Sequence, residues 1–270
     1  MITDSYTELY GVFGDPVSHS LSPVMHSRAF AHIGYNAAYL AFRIKDIAAA
    51  VSAIKTLGIK GVSVTIPHKV SIMPHLDALD DMARRIGAVN TVINRDGVLT
   101  GYNSDWIGAI KALSEKADIR GKSAAIIGAG GAARAIGFGM VAEGAKVTII
   151  NRSADKGGRL AKDLGVEFCP LSDIKKTECQ ILINTTPLGM TPNTESTPVP
   201  KAYLKKEMFV IDIVYNPLKT RLLKDAEQAG CTVADGLSMF VYQGAFQFEL
   251  WTGKNAPIEV MRDAVVEIFR

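Results

Sequence analysis

The amino-acid sequence predicts an α/β protein built from two units, and three observations indicate this fold class. A chain of 270 residues is long for a single hydrophobic core. Short apolar segments typical of strands alternate with helical patterns, as in parallel βαβ units. This alternation starts again after Gly121. We therefore expect two α/β domains with a cleft between them.

The N-terminal half contains strands with helices between them. Strands are predicted at LYGVFGD (9–15), AYLAFRI (38–44) and GVSVTIP (61–67), and helices at SPVMHSRAFAHIG (22–34) and DIAAAVSAIKTLG (46–58). Both helices end at a glycine, and the third strand stops at Pro67, which cannot donate to a ladder. NTVINRDGVLTGYN (90–103) then predicts a hairpin around Asp96-Gly97.

The second half begins with KSAAIIGAGGAARAIGFGMVAEGAKVTIINR (122–152), a strand, glycine turn, helix and strand of the size of one βαβ unit. CQILINTTP (179–187) and EMFVIDIVYNP (207–217) predict further strands, and 237–268 is mostly helical. We place the boundary near Tyr102 to Asp105. The predicted N-terminal domain is 1–104, completed by the C-terminal helices of 238–270, and the second domain is 105–237.

Composition and charge exclude several classes of protein. The net charge is only +3, with no run of like charges, which argues against a nucleic-acid or membrane-surface partner. The acidic N-terminus has no secretory pattern, and no apolar stretch reaches the roughly 18 residues of a spanning helix. Widely spaced Cys169, Cys179 and Cys231 fit free thiols, so we expect a cytoplasmic protein. The five histidines lack metal-ligand spacing, so we expect no metal.

GAGGAA (128–133) lies between an apolar strand and a helix and predicts a dinucleotide site. Gly128 allows the tight turn, Gly130 lets a pyrophosphate approach the backbone, and Ala133 permits close helix packing. The phosphates would bind amide groups at the helix N-terminus. The alternative is a structural glycine turn. In this βαβ context we expect a Rossmann-type, doubly wound cofactor domain. The candidate cofactor residues in this turn are Gly128, Ala129, Gly130, Gly131 and Ala132.

The end of the next strand indicates which dinucleotide binds. NAD enzymes usually place an acidic side chain there, which accepts from the ribose 2′-hydroxyl. This chain has Asn151, Arg152 and Ser153, with Lys156 one turn later. Because a guanidinium matches a 2′-phosphate and cannot accept from a hydroxyl, the sequence favours NADP. The alternative is that Arg152 and Lys156 cap or solvate the start of a helix.

Lys69 alone would be read as a solvated surface lysine. However, eight motifs, FGDPVSHSLSPVMH, SVTIPHK, GAVNT, GYNSD, GAGGAAR, NR, DIVYNP and ADGLSMFVYQGA, occur in the order seen in the shikimate dehydrogenase family. The chain resembles that family over nearly its whole length. The resemblance implies a two-domain reductase of 3-dehydroshikimate in chorismate and aromatic amino acid biosynthesis, with NADP as cofactor, direct hydride transfer and no metal.

The resemblance also implies roles for individual residues. Lys69 would be the acid/base lysine, paired with Asp105. The implied substrate-binding residues are Ser20 and Ser22 at the carboxylate, and Thr65, Asn90, Asp105, Tyr215 and Gln243 at or near the hydroxyls. Ile213 and Gly236 would lie beside the nicotinamide. Chemistry supports Lys69 independently, because an ammonium stabilises the negative charge that develops on a ketone oxygen receiving hydride, and can supply its proton.

Structural alternatives exist for most of these residues. Ser22 before Pro23 is a sound helix N-cap, and Asp105 before WIGAIKAL is another. Asn90 could shape the chain entering the hairpin, and Gln243 could be a polar position on a helix. Whether Lys69 carries a proton or only stabilises charge stays open, because a nearby carboxylate raises a lysine pKa whereas a base for the reverse oxidation needs it lowered.

Three positions depart from the family pattern. Ser63 stands where asparagine is common, Ser104 replaces threonine, and Ser238 replaces glycine near the nicotinamide site. Alternative functions are an NAD-dependent quinate/shikimate dehydrogenase, an aminoshikimate-type dehydrogenase and a non-catalytic dinucleotide sensor. The sequence leaves open whether the protein is a monomer or a homodimer.

Overall fold

The computed structural model describes residues 3–270. The chain divides into two compact units. The first unit comprises the described residues up to Ile107 together with Val241–Arg270, and the second comprises Gly108–Phe240. Each of the two joins lies three residues beyond the domain boundary expected from the sequence. Within residues 3–270, no helix combines the length and apolar character needed to cross a membrane.

The first unit is built on a mixed sheet. Its strands are β1 (Glu8–Gly14), β2 (Ala37–Arg43), β3 (Gly61–Val64), β4 (Ala78–Leu79), β5 (Thr91–Arg95) and β6 (Val98–Tyr102), in the order β2-β1-β3-β5-β6-β4. Its first helices are α1 (Ser22–His32), α2 (Ile47–Thr56) and α3 (Asp81–Ile86). The β1–β2 and β1–β3 pairs are parallel, as the alternating pattern predicted.

The predicted hairpin is present as β5 and β6, which pair antiparallel. Asp96 and Gly97 both have positive φ, +51° and +87°, as a two-residue hairpin turn of this type requires. β5 also pairs antiparallel with β3, so this sheet is mixed. The hairpin places the segment before β5 and the segment after β6 at the same edge of the sheet, because its two strands run in opposite directions.

β3 is shorter than predicted. It ends at Val64 rather than at Pro67, because the chain turns after Thr65, where the His68 N–H donates to the Thr65 carbonyl at 2.9 Å. Two backbone hydrogen bonds still join the segment after β3 to the end of β1, from the Thr65 N–H to the Phe13 carbonyl at 2.9 Å and from the Asp15 N–H to the Ile66 carbonyl at 3.0 Å. This early end brings Lys69 back toward the sheet, where its carbonyl accepts from the Val89 N–H at 2.7 Å.

The second unit is built on a parallel sheet. Its strands are β7 (Ser123–Ile127), β8 (Lys146–Asn151), β9 (Glu167–Pro170), β10 (Ile181–Asn184), β11 (Phe209–Asp212) and β12 (Thr232–Ala234). Neighbouring strands pair in parallel in the order β12-β11-β10-β7-β8-β9. This is the doubly wound order of dinucleotide-binding folds, in which the direction of winding reverses between β7 and β10. The structure confirms the predicted fold class.

The remaining helices complete the two units. They are α4 (Asp105–Ser114), α5 (Gly131–Ala142), α6 (Ala154–Leu164), α7 (Arg221–Gln228), α8 (Leu237–Thr252) and α9 (Ile258–Val266). Short 3₁₀ helices lie at Met73–His75, Leu171–Lys176, Lys201–Tyr203 and Glu267–Phe269. The joins between the units fall inside α4 and α8. Apolar clusters cover both faces of the second sheet, and Ile126 and Leu182 are fully buried on opposite faces.

Candidate active site

The first unit holds a largely buried ion pair between Lys69 and Asp105. Lys69 lies in the turns that follow β3, and Asp105 is the first residue of α4. Lys69 Nζ donates to Asp105 Oδ2 at 2.6 Å, and the two side chains are only 15% and 7% exposed. Little water screens this pair, so the attraction between the charges is stronger than at the surface. The structure therefore brings together the two residues predicted to be catalytic.

Backbone and side-chain hydrogen bonds hold the segment that carries Asp105. The Asp105 N–H donates to Asn103 Oδ1 at 3.0 Å, and Asn103 Nδ2 donates to the Ala88 carbonyl at 2.9 Å. Asp105 lies in the first turn of a helix, where the dipole favours a carboxylate. Both carboxylate oxygens have partners, Lys69 on Oδ2 and Asn90 on Oδ1. A simple capping role would leave this pairing unexplained.

Asn90 is the side chain that orients Asp105. Its Nδ2 donates to Asp105 Oδ1 at 2.8 Å and to Ser104 Oγ at 2.9 Å. Its Oδ1 accepts from the Ser104 N–H at 2.7 Å and from Thr91 Oγ1 at 2.8 Å. Asn90 is 2% exposed. It does lie at the entrance to the hairpin, as the structural alternative proposed, but its amide group also links the hairpin to Asp105.

The other predicted substrate residues of the first unit lie on separate elements. Thr65 follows β3 and is half-buried, and Gln243 is a buried residue of α8 whose Oε1 accepts from Ser104 Oγ at 3.4 Å. The Ser22 N–H donates to Ser20 Oγ at 3.3 Å. The N-cap expected at Ser22 is wrong: α1 begins at Ser22, its N-cap is Leu21, and no side chain caps it. The Ser22 hydroxyl is thus not used to cap α1.

The glycine turn of the second unit follows β7 and opens α5. Gly128 has φ of +123°, and a Cβ there would collide with Thr185 Oγ1, so both conformation and packing require glycine. At Gly130, in contrast, φ is −89° and an added Cβ meets no atom within 4 Å. Protein packing therefore does not explain why position 130 is a glycine. A ligand that lies close to the backbone explains it, because a pyrophosphate bound to this turn needs that space.

The N-terminus of α5 fits a phosphate. Gly130 is the N-cap residue and no side chain caps the helix, so N–H groups of the first turn, which include those of Gly131 and Ala132, are available as donors. Ala129 lies between the two glycines of the turn, and Ala133, in the place of a third glycine, is fully buried. The turn residues therefore have the donors and the space that a dinucleotide needs.

The basic residues after β8 are exposed. Asn151 Nδ2 donates to the Ser153 carbonyl at 2.9 Å, and Ser153 Oγ caps α6 by accepting from the Lys156 N–H at 3.4 Å. Ser153, not Arg152, is thus the cap. Among residues 3–270, the Arg152 guanidinium and the Lys156 ammonium have no ion-pair partner. Two free cations at this strand end suit the 2′-phosphate of NADP.

Asp212 was not among the candidate residues predicted from the sequence. It ends β11 and is fully buried. Its Oδ1 accepts from Asn184 Nδ2 at 2.9 Å and from the Val214 N–H at 3.1 Å, and its Oδ2 accepts from Thr220 Oγ1 at 2.7 Å. Burial raises the pKa of Asp212 to about 6. A buried carboxylate that receives three hydrogen bonds holds the end of β10 to the segment that follows β11.

Of the two residues predicted to lie beside the nicotinamide, Ile213 belongs to the segment after β11 and Gly236 follows β12. The Ile213 N–H donates to the Asn184 carbonyl at 3.1 Å, and a Cβ at Gly236 would collide with the Ile213 carbonyl oxygen. Glycine at 236 therefore allows close backbone contact with Ile213. Tyr215, predicted to bind substrate, stacks on Phe240 with ring centroids 4.4 Å apart. The signal for Asp212 was its place in DIVYNP, directly before Ile213.

The two units supply complementary chemistry. The doubly wound second unit has an open glycine turn and free cations suited to NADP, and the first unit has a buried ammonium held by a carboxylate. Together they define an NADP-dependent oxidoreductase that reduces a carbonyl or oxidises an alcohol. The particular family follows from comparison with known proteins.

Family models match most of the chain. The shikimate dehydrogenase substrate binding domain matches residues 12–92, the shikimate / quinate 5-dehydrogenase model 111–219, and the shikimate 5'-dehydrogenase C-terminal domain 236–266. A shikimate dehydrogenase (NADP(+)) of Bacillus cereus (strain B4264) is 46% identical over 96% of this chain and 98% of its own. That of Moorella thermoacetica is 45% identical over 94% of this chain and 91% of its own.

Solved structures of shikimate dehydrogenases are also similar to this chain. A shikimate dehydrogenase in complex with NADP+ has a TM-score of 0.95 and 40% identity, covering 100% of this chain and 98% of its own. The enzyme from Thermus thermophilus, in complex with NADP(H) and shikimate, has a TM-score of 0.90 and 34% identity over 97% and 99% of the two chains. This chain belongs to the shikimate dehydrogenase family.

Proposed function

We propose that Lys69 supplies the proton, and Asp105 orients Lys69, in the shikimate dehydrogenase reaction of this chain. The reaction is the reversible NADPH-dependent reduction of 3-dehydroshikimate to shikimate, on the route to chorismate and the aromatic amino acids. NADPH supplies the hydride when it is bound. The observation that carries the proposal is the buried Lys69–Asp105 pair, with Nζ and Oδ2 2.6 Å apart.

Charge development explains why the pair suits this reaction. A ketone that accepts hydride at carbon gains negative charge on oxygen, and an ammonium beside that oxygen lowers the energy of the transition state. Proton transfer from Lys69 to the oxygen completes the alcohol. In the reverse direction the neutral amine takes the proton from the substrate hydroxyl. Asp105 holds Nζ in place for both directions, and Asn90 holds Asp105.

The remaining first-unit residues are proposed to bind the substrate. The Ser20 and Ser22 hydroxyls at the start of α1 suit a carboxylate, because helix N-terminal N–H groups add to their donors. Thr65 and Gln243 offer a hydroxyl and an amide for the ring hydroxyls, and Asn90 and Asp105 are proposed to bind them too. Ser104 links Asn90 to Gln243, because it accepts from Asn90 Nδ2 and donates to Gln243 Oε1. Tyr215 in the second unit is proposed as a further substrate residue.

The second-unit residues are proposed to hold NADP. The turn Gly128–Ala132 would receive the pyrophosphate, and Arg152 with Lys156 would pair with the 2′-phosphate. Asn151 and Ser153 shape that strand end through their mutual hydrogen bond. Ile213 and Gly236 would face the nicotinamide. We also propose a cytoplasmic location, which the free thiols of Cys169, Cys179 and Cys231 support, and a monomer or homodimer.

Substitution of Lys69 tests this proposal. Lys69→Ala should lower kcat for NADP+-dependent oxidation of shikimate by about 10²–10⁴-fold, the usual contribution of a general acid–base group. Lys60→Ala removes an exposed lysine of the same unit and is the matched control, with kcat unchanged. Near-normal kcat in Lys69→Ala would contradict the proposal.

A second assay separates the alternative functions. Purified protein is tested with shikimate and quinate, each with NADP+ and NAD+, and kcat/KM is compared. We expect the highest value for shikimate with NADP+. A higher value for quinate with NAD+ would identify the quinate alternative, and binding of NADP+ without turnover of either acid would identify a sensor.

A further inference from the structure

We propose that Tyr39, Ser63 and Gln247 are positioning residues for the Lys69–Asp105 pair, to which they are connected by one continuous line of hydrogen bonds. This inference rests on the catalytic roles proposed above. We call this line the donor chain, and its residues are Tyr39, Ser63, Gln247, Thr91, Asn90 and Asp105. All six are buried.

The first half of the donor chain joins two strands to α8. Tyr39 on β2 donates through its hydroxyl to Ser63 Oγ on β3 at 2.7 Å. Ser63 donates to Gln247 Oε1 on α8 at 2.7 Å. Gln247 Nε2 donates to Thr91 Oγ1 on β5 at 2.9 Å. Ser63 and Thr91 lie opposite each other in the β3–β5 ladder, and Gln247 bridges them from above the sheet.

The second half leads to the carboxylate. Thr91 Oγ1 donates to Asn90 Oδ1 at 2.8 Å, and Asn90 Nδ2 donates to Asp105 Oδ1 at 2.8 Å. Asp105 Oδ2 accepts from Lys69 Nζ. The two carboxylate oxygens are therefore held by different partners, the ammonium on one side and the donor chain on the other.

The direction of each hydrogen bond is determined by groups that can act in only one way. Gln247 Nε2 also contacts the Asn90 carbonyl oxygen at 3.2 Å, which can only accept, so Oε1 must face Ser63. Ser63 then has to donate to Oε1, and its oxygen is left to accept from Tyr39. In the same way the Ser104 N–H can only donate to Asn90 Oδ1, so Nδ2 must face Asp105.

All the donors of the chain therefore point toward Asp105. Hydrogen bonds aligned in one direction polarise each other, so each strengthens the next by roughly 10–30%. Tyr39 does not contact the carboxylate, but through the donor chain it strengthens the hydrogen bond that Asn90 donates to Asp105 Oδ1.

The proposal predicts a gradient of effects on kcat. Gln247→Met, Ser63→Ala and Tyr39→Phe remove donors at increasing distance from Asp105. We expect kcat for shikimate oxidation to fall by about tenfold, about fivefold and about two- to threefold in that order, with the KM for NADP+ unchanged. Ser63→Thr keeps a hydroxyl and should retain most of the kcat that Ser63→Ala loses.

Tyr10→Phe is the matched control. Tyr10 is a buried tyrosine of the same aromatic cluster, but its hydroxyl donates to Glu8 at 2.8 Å, outside the donor chain. It should change the thermal midpoint by as much as Tyr39→Phe and leave kcat unchanged. Equal kcat in wild type, Tyr39→Phe and Ser63→Ala would overturn the inference and leave the donor chain a structural feature.

A double substitution keeps the test decisive if Gln247→Met or Ser63→Ala proves too unstable to assay. In an Asp105→Asn background the carboxylate is gone, so adding Tyr39→Phe should leave the residual kcat unchanged. An additive loss would contradict coupling through Asp105. Failure of the proposed function is distinguishable, because it appears as normal kcat in Lys69→Ala, whatever the donor-chain variants do.

Discussion

The candidate catalytic residues of the first unit are largely buried and bonded to one another, whereas Gly130 and Arg152 of the second unit are exposed. Lys69 pairs with one carboxylate oxygen of Asp105 and Asn90 donates to the other, and all three side chains are shielded from most of the solvent. Arg152 is exposed and has no ion-pair partner among residues 3–270, and Gly130 leaves space above its backbone. One unit thus has its charges arranged in advance, and the other keeps its donors for a ligand.

This difference reflects what each unit has to do. Proton transfer needs an ammonium fixed within hydrogen-bond reach, so the protein uses buried polar contacts to hold Lys69. A dinucleotide brings its own charges, so exposed cations and helix N–H groups suffice. Substitutions in the first unit should therefore change both stability and kcat, and those in the second mainly cofactor affinity.

The largest expected effect is the loss of kcat and stability when the Lys69–Asp105 ion pair of the first unit is broken. Asp105→Asn leaves Lys69 buried without a counter-ion, and we expect kcat to fall by about 10²–10⁴-fold with a lower unfolding midpoint. Steady-state assays and thermal unfolding measure both. Asp81→Asn, which breaks a surface pair with Arg84 in the same unit, is the control and should change neither. Unchanged kcat in Asp105→Asn would remove the distinction between the units.

A smaller effect, on the pH dependence of stability, is expected from Asp212, the fully buried carboxylate at the end of β11 in the second unit. Its pKa is raised to about 6 by burial, above the ordinary value of 3.8. The folded state therefore binds this proton more tightly, and the resulting stability is present below about pH 4 and lost as the pH rises through about 6. About two pKa units correspond to ~3 kcal/mol.

Asp212→Asn should abolish this pH dependence, because asparagine does not ionise. The contact with Thr220 can be kept, since the Thr220 hydroxyl can turn to accept from the new amide. Urea unfolding of both proteins between about pH 4 and pH 7 measures it. We expect wild type to lose stability relative to Asp212→Asn as the pH rises. A constant difference would show that burial at Asp212 does not disfavour the charge.

The smallest expected effect is confined to one cofactor. Arg152→Gln should raise the KM for NADP+ by about 10–100-fold, the worth of a charge-assisted hydrogen bond, and leave the KM for NAD+ nearly unchanged. Arg159→Gln removes an exposed arginine of α6 that pairs with Asp155, and should change neither KM. Equal increases for both cofactors would mean that Arg152 does not contact the 2′-phosphate.

Much of the fold could be predicted because it depends on local patterns. Glycine at 128, the apolar strands beside it and Asp96-Gly97 are encoded within a few residues each, and the doubly wound sheet and the hairpin follow from them. The end of β3 could not be placed as well. Pro67 marks where a ladder must stop, but the turn that begins at Thr65 ends it earlier.

The site could be predicted only in part, for the same reason. Lys69 and Asp105 are suggested by ordered motifs, and the structure brings their side chains together. The bonds from Ser63 to Tyr39 and to Gln247 join residues 24 and 184 positions apart, and no local pattern signals them. Ser22 shows the converse, since a local capping pattern was outweighed by a helix that begins at that residue.

Chemical rescue of Lys69→Ala tests the central claim most directly. Small primary amines, such as methylamine and ethylamine, are added to the variant during NADP+-dependent oxidation of shikimate, with Lys60→Ala assayed alongside. The account predicts a low rate without amine and a rate that rises with amine concentration in Lys69→Ala alone. Wild-type kcat in Lys69→Ala without any added amine would contradict it.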